Sequence, residues 1–77
     1  MANEVNWFSR LGENVRARRE ALHQSQEELA DRAGIDVRYL GGIERVQRNP
    51  SLKVIVAIAE ALNASPIELM SGLDLDD

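Results

Sequence analysis

The chain has 77 residues, a formal net charge of −4, 44% hydrophobic residues and no cysteine. That length suits one small domain burying about 60% of the surface its unfolded chain exposes, and the missing cysteines exclude a disulfide or thiolate metal site. No apolar run approaches the ~18 residues of a transmembrane helix and no basic-then-apolar signal peptide is present, so a cytoplasmic bacterial or phage protein without a membrane partner is expected.

Five helices and no strand are predicted: an all-α, compact five-helix domain over 1–72, followed by an acidic tail, 73–77. The first helix spans 5–23 and carries Phe8, Leu11, Val15 and Leu22 along one face. The second opens at Ser25, which with Glu28 has the form of a capping box. Its apolar face is Leu29, Ala30 and Ala33, and Gly34 suits a turn with positive φ. Asp36 is a good N-cap for a third helix whose Leu40 and Ile43 point inward. Pro50 disfavours helix at Asn49 and breaks the pattern. Ser51 caps a fourth helix over 52–62, which Asn63 ends in a left-handed conformation. The fifth is short, with Ser65 as N-cap, Pro66 at its first position, Glu68 closing a second capping box, and Gly72 as the stop.

Two helices joined by so short a turn as the one at Gly34 must cross steeply, which is helix-turn-helix geometry. In that motif the second helix enters the major groove, so double-stranded DNA is the expected partner. The acidic total is misleading, because charge is unevenly distributed. Residues 10–53 carry eight arginines and Lys53 against seven acids, while 54–77 carry five acids and no base. All the basic charge therefore lies in the part that holds the helix pair. Arginine over lysine favours bidentate contacts to phosphate or guanine.

Four blocks carry a resemblance: Gln-Glu-Glu-Leu-Ala-x-x-Ala-Gly-Ile, Tyr-Leu-x-x-Ile-Glu-Arg, Arg-Asn-Pro-Ser-Leu and Ile-Ala-Glu-Ala-Leu. In this order and spacing they resemble the Cro/phage-repressor (XRE-type) helix-turn-helix family over 11–69. Within it, the Ile-Glu-Arg-x-x-Arg-Asn-Pro-Ser-Leu segment looks most like restriction–modification controller proteins. The resemblance implies a phage-repressor-like DNA-binding domain and a small dimeric regulator of transcription, acting as activator or repressor at an operator. RNA polymerase is a further candidate partner, and no cofactor, metal or small-molecule ligand is expected. The pattern departs at Val46, where many relatives carry glycine, so a different bend is expected in the loop after the third helix.

Helical spacing puts Val37, Arg38, Gly41, Gly42 and Arg45 opposite the inward face of the third helix. Arg38, in its first turn, can take guanine O6 and N7 together, and Val37 can touch a thymine methyl. Two glycines in so short a helix suggest a close approach, either to the second helix or to DNA; Gly41 or Gly42 is expected to face the groove, and Gly42 is counted among the base contacts. Gln26 stands at a helix N-terminus, a natural phosphate site, and in the resembled family a glutamine there bonds the DNA backbone. Tyr39, Arg45, Arg48 and Arg16 are further backbone candidates, as is Ser51 beyond its cap role. The family pattern pairs Arg19 on the first helix with Glu44 on the third, implying a structural ion pair. His23 is read as a dipole-compensating or exposed side chain.

The fourth helix carries only Lys53 and Glu60 as charges. Leu52, Ile55, Ile58, Ala59 and Leu62 suffice for one core stripe, leaving Val54, Val56, Ala57 and Ala61 on other faces. With Ile67, Leu69, Met70 and Leu73 beyond it, the fourth and fifth helices read as a homodimer interface, which makes the operator a near-palindrome. The alternative is an antitoxin-type protein-interaction module with secondary DNA binding. Such modules usually add a toxin-binding segment, and only 73–77 follows the fifth helix here. An enzyme is disfavoured, since no nucleophile–base pair, metal cluster or phosphate-binding glycine loop is found.

Overall fold

A computed structural model describes residues 7–70, with side chains from Ser9 onward. It contains helices α1 (Trp7–Ala21), α2 (Gln26–Ala33), α3 (Val37–Glu44), α4 (Leu52–Ala61) and α5 (Pro66–Leu69). Among the described residues there is no strand. The expected start of the first helix at residue 5, the Trp7 and Phe8 side chains, the stop at Gly72 and the acidic tail with Leu73 lie outside the described residues.

Four of the helices begin where a short polar side chain accepts a free backbone N–H. Ser25 accepts from the Glu28 amide and Ser65 from the Glu68 amide, each in a reciprocal capping box. Asp36 accepts from the Arg38 amide and Ser51 from the Val54 amide. Such caps contribute about 0.5–2 kcal/mol each in exposed helices. α1 through α4 also end alike, in a left-handed residue at His23 (φ 58°), Gly34 (73°), Val46 (63°) and Asn63 (57°). At each end two amides close back onto the last turn: Gln24 to Arg19 and His23 to Glu20, Ile35 to Ala30 and Gly34 to Asp31, Gln47 to Gly42 and Val46 to Ile43, Ala64 to Ala59 and Asn63 to Glu60. This is the Schellman pattern, which satisfies carbonyls that a helix end otherwise leaves free.

The core is built from all five elements. Leu11 and Val15 enter from α1, Leu29 and Ala30 from α2, and Leu40 and Ile43 from α3. Ile55, Ile58, Ala59 and Leu62 enter from α4 and its cap, and Leu69 from α5. α1 packs on α3, α2 on α3 and α4, and α5 bridges α1 and α4. Asn14 donates from Nδ2 to the Leu69 carbonyl at 2.7 Å, clasping α1 to the end of α5.

Two expected core positions are corrected. Leu22 is 44% exposed because α1 stops at Ala21 and the chain turns away at His23. Leu52 is 71% exposed; it is the first residue of α4, one turn ahead of the buried Ile55.

A close approach unforeseen from the sequence occurs at Gly12. A Cβ placed there would lie 2.5 Å from the Ile43 carbonyl oxygen and 3.2 Å from that of Glu44. The packing of α1 on α3 therefore depends on a bare backbone at this position.

Candidate nucleic-acid interface

The angle between α2 and α3 is held from beneath by charge. Arg19 reaches from α1 to Glu44 in the last turn of α3, Nε to Oε2 at 2.8 Å and Nη2 to Oε1 at 3.1 Å. Its remaining nitrogen, Nη1, donates to the Gln24 carbonyl at 2.9 Å. The Arg19 and Glu44 side chains are 12% and 3% exposed. Bonding to Glu44 raises the Arg19 guanidinium above its ordinary range, against the opposing effect of burial. Gln26, first residue of α2, donates from Nε2 to Glu44 Oε1 at 3.0 Å. One carboxylate thus joins α1, α2 and α3, accepting two charge-assisted bonds and one from an amide, as a charge taken largely out of water requires.

The outer surface of α3 begins at Arg38, whose side chain is 90% exposed. Its amide donates to Asp36 Oδ1 at 2.7 Å, and its Nε lies 3.5 Å from the same oxygen. That amide, and then the Arg38 side chain, holds the Asp36 carboxyl below the usual carboxylate range. Val37 is half-buried and packs against the core, so only part of its surface is open to a thymine methyl.

Gly41 and Gly42 are both buried. A Cβ on Gly41 would meet Arg45 Nη1 at 3.0 Å and Gln26 Oε1 at 3.7 Å. One on Gly42 would meet Arg48 Cγ at 2.5 Å. The open, groove-facing role expected of Gly42 is therefore corrected: Arg48 covers it. The Arg48 guanidinium in turn stands 5.8 Å from the centre of the half-buried Tyr39 ring.

Arg45 and Arg48 are exposed just past α3, and Arg45 Nε donates to Gln47 Oε1 at 3.2 Å. Arg16, exposed on α1, pairs with Glu20 at 3.1 Å, an i,i+4 pair that water and salt screen strongly. The Gln26 amide keeps one N–H beyond the one given to Glu44. Ser51 is exposed and accepts from the Val54 amide at 3.2 Å, leaving its hydroxyl proton to donate. His23 is exposed.

Val46 carries the turn after α3 in the left-handed region, where a β-branched residue is rare. The turn closes with the same hydrogen bonds as the other three helix ends, and valine holds a conformation that favours glycine.

On α4 and α5, Val54, Ala61 and Met70 pack partly against the core of their own chain, and Val56 and Ala57 are half-buried. Ile67 is 80% exposed. The open apolar surface here is thus narrower than the sequence suggests, and it includes Leu52.

These elements define a five-helix, repressor-like DNA-binding domain, and the helix-turn-helix family profile matches residues 15–69. The chain belongs to this family, in its Cro/phage-repressor branch, as a DNA-binding transcriptional regulator. It is 41% identical over 61 residues to the control protein C.SmaI of Serratia marcescens, spanning 79% of this chain and 73% of the relative. The restriction–modification controller protein C.AhdI from Aeromonas hydrophila superposes with a TM-score of 0.79 at 45% identity, over 80% of this chain and 94% of that one. The P22 c2 repressor, crystallised with a synthetic operator, gives 0.75 at 32% identity, over 80% and 94%.

Proposed function

We propose that the chain is a restriction–modification controller that binds a near-palindromic operator as a homodimer. The observation that carries this reading is the outer surface of α3. A 90% exposed Arg38 stands in its first turn, Arg45 and Arg48 follow its end, and the half-buried, mutually bonded Arg19, Glu44 and Gln26 lock α3 behind them. Arg38 is assigned to a guanine edge and Val37 to a neighbouring methyl. Gln26, Tyr39, Arg45, Arg48, Arg16 and Ser51 are assigned to phosphates, which set register and carry no sequence information.

The homodimer reading rests on exposed Ile67, on Leu52 and on the half-buried Val56 and Ala57. Val54, Ala61 and Met70 contribute only the parts that their own core leaves open. Two-fold pairing is the commonest soluble assembly, and it sets one recognition helix per half-site, about 34–36 Å apart. Selection from random duplexes tests both halves of the proposal. Enrichment of an inverted repeat with that spacing is expected, together with a dimer in sedimentation equilibrium at micromolar concentration. Recovery of no sequence preference, or a monomer protecting one half-site, overturns it.

A further inference from the structure

Gly42 has no side chain, and Arg48 fills the space one would occupy. A Cβ at Gly42 would lie 2.5 Å from Arg48 Cγ, 3.4 Å from its Cβ and 3.7 Å from its Cδ, so the whole aliphatic stem lies along α3 here. The arginine's backbone is tied to the same residue, because the Gly42 carbonyl accepts from the amides of Gln47 at 2.7 Å and Arg48 at 3.2 Å. At the far end, the guanidinium carbon stands 5.8 Å from the Tyr39 ring centre. Tyr39 precedes Gly42 by three residues, so the two share one side of the helix. Stem, backbone and head are therefore each fixed to α3, although Arg48 belongs to the loop that follows it.

We infer that Gly42 is the positioning residue for Arg48: by lacking a side chain, it lets this loop arginine lie across α3 with its guanidinium over Tyr39. The inference rests on the proposed reading of α3 as the DNA-facing helix. It adds that the charge at this end of the surface is delivered as a placed group. A free arginine loses rotamer freedom when it is immobilised on binding, and one already laid on the helix loses less. A side chain at 42 expels the stem, because a separation of 2.5 Å from the Cγ carbon cannot be relieved by moving the guanidinium alone.

The test is a cycle of Gly42→Ala and Arg48→Ala, read first without DNA. Alanine is the better helix former, so Gly42→Ala should raise the melting temperature in the Arg48→Ala background and lower it when Arg48 is present. In the free protein the Arg48 δ-methylene protons should show an upfield ring-current shift from Tyr39, which Gly42→Ala abolishes. On the selected duplex Gly42→Ala should weaken binding by about three- to tenfold, the cost of ordering one long side chain, and add nothing to Arg48→Ala. Absence of the upfield shift in the parent protein, or the same melting change in both backgrounds, overturns the inference. A cycle that behaves as expected while no duplex is bound leaves Gly42 as the positioning residue and removes only the DNA reading.

Discussion

Gln26 and Glu44 are joined by a 3.0 Å hydrogen bond that ties the first residue of α2 to the last turn of α3. The same Glu44 oxygen accepts from Arg19 at 3.1 Å. The carboxylate therefore fixes the relative placement of the two helices that form the recognition unit. Glu44→Ala should destabilise the fold without DNA by about 3–5 kcal/mol, as when one partner of a buried pair is removed. The lower end is expected, since Arg19 keeps the Gln24 carbonyl. Thermal denaturation checks this: a midpoint lower by more than about 10 °C is expected for a domain of this size. A midpoint equal to the parent's would mean that water replaces the pair at no cost.

Arg38→Ala should act on specificity more than on general affinity. Removing a bidentate guanine contact is expected to cost about 1–3 kcal/mol on the selected site and little on random duplex. Arg45→Ala and Arg16→Ala should instead weaken all duplexes alike and reduce the salt slope by about one for each phosphate that is no longer neutralised. Competition titrations across a salt series separate the two behaviours, and equal weakening of both duplexes by Arg38→Ala would reassign it to a phosphate.

Gly12→Ala should destabilise the chain by about 1–3 kcal/mol, the usual range for overpacking. The added methyl meets backbone carbonyls at 2.5 and 3.2 Å, and these cannot swing aside as a side chain would. Since alanine favours helix, an effect of propensity alone would have the opposite sign. Urea denaturation gives that sign directly.

Val46→Gly should be stabilising. The left-handed conformation costs an L-residue about 1–2 kcal/mol, and the greater freedom of unfolded glycine returns about 0.4–1 kcal/mol of that gain. A net increase near 1 kcal/mol corresponds to a melting point higher by about 4–8 °C. An unchanged or lower melting point would mean that Val46 makes contacts worth as much as its strain.

Asp36 links the start of α3 to pH. Its carboxyl is held below the ordinary range by the Arg38 amide and then by the Arg38 side chain. A depressed folded-state pKa stabilises fully above the unfolded value and is lost as pH falls through the folded one. Asp36→Asn keeps a capping oxygen but not the charge. The parent should therefore be the more stable at pH ~6, and the gap should close below the normal aspartate range, near pH ~3.9. Melting curves over that acid range are the measurement, and a gap independent of pH would rule out the charge as its cause.

What is legible in the sequence is what depends on near neighbours. Ser25 with Glu28, Ser65 with Glu68, Asp36 and Ser51 are readable as caps because a cap needs only a residue and an amide two or three positions on. Asn63 is readable as a left-handed stop for a similar reason. Gly12 is not, because its constraint is set by how closely α1 crosses α3, which no local pattern encodes. Helical spacing puts Gly42 on the outer side of α3, but its cover comes from a side chain six residues later, across a turn. Leu52 keeps the spacing of a core stripe but lies one turn beyond the residues that are buried. The Arg19 and Glu44 pair is visible through the family pattern, since spacing alone leaves several partners open to either charge.

The Asn14 to Leu69 clasp has a kinetic side. It spans 55 positions, against 25 for Arg19 to Glu44. Loop-closure entropy grows only logarithmically, so slightly more than a doubling of span costs about 0.6–0.7 kcal/mol extra. Most residue contacts are nonetheless short in sequence, as in helical bundles, and chains of that kind fold in microseconds to milliseconds. Docking of α5 against α1 is then expected to be an inexpensive closing step. In the proposed homodimer, pairing through Ile67 is then expected to follow this docking, because it is the docking that sets where α5 presents Ile67.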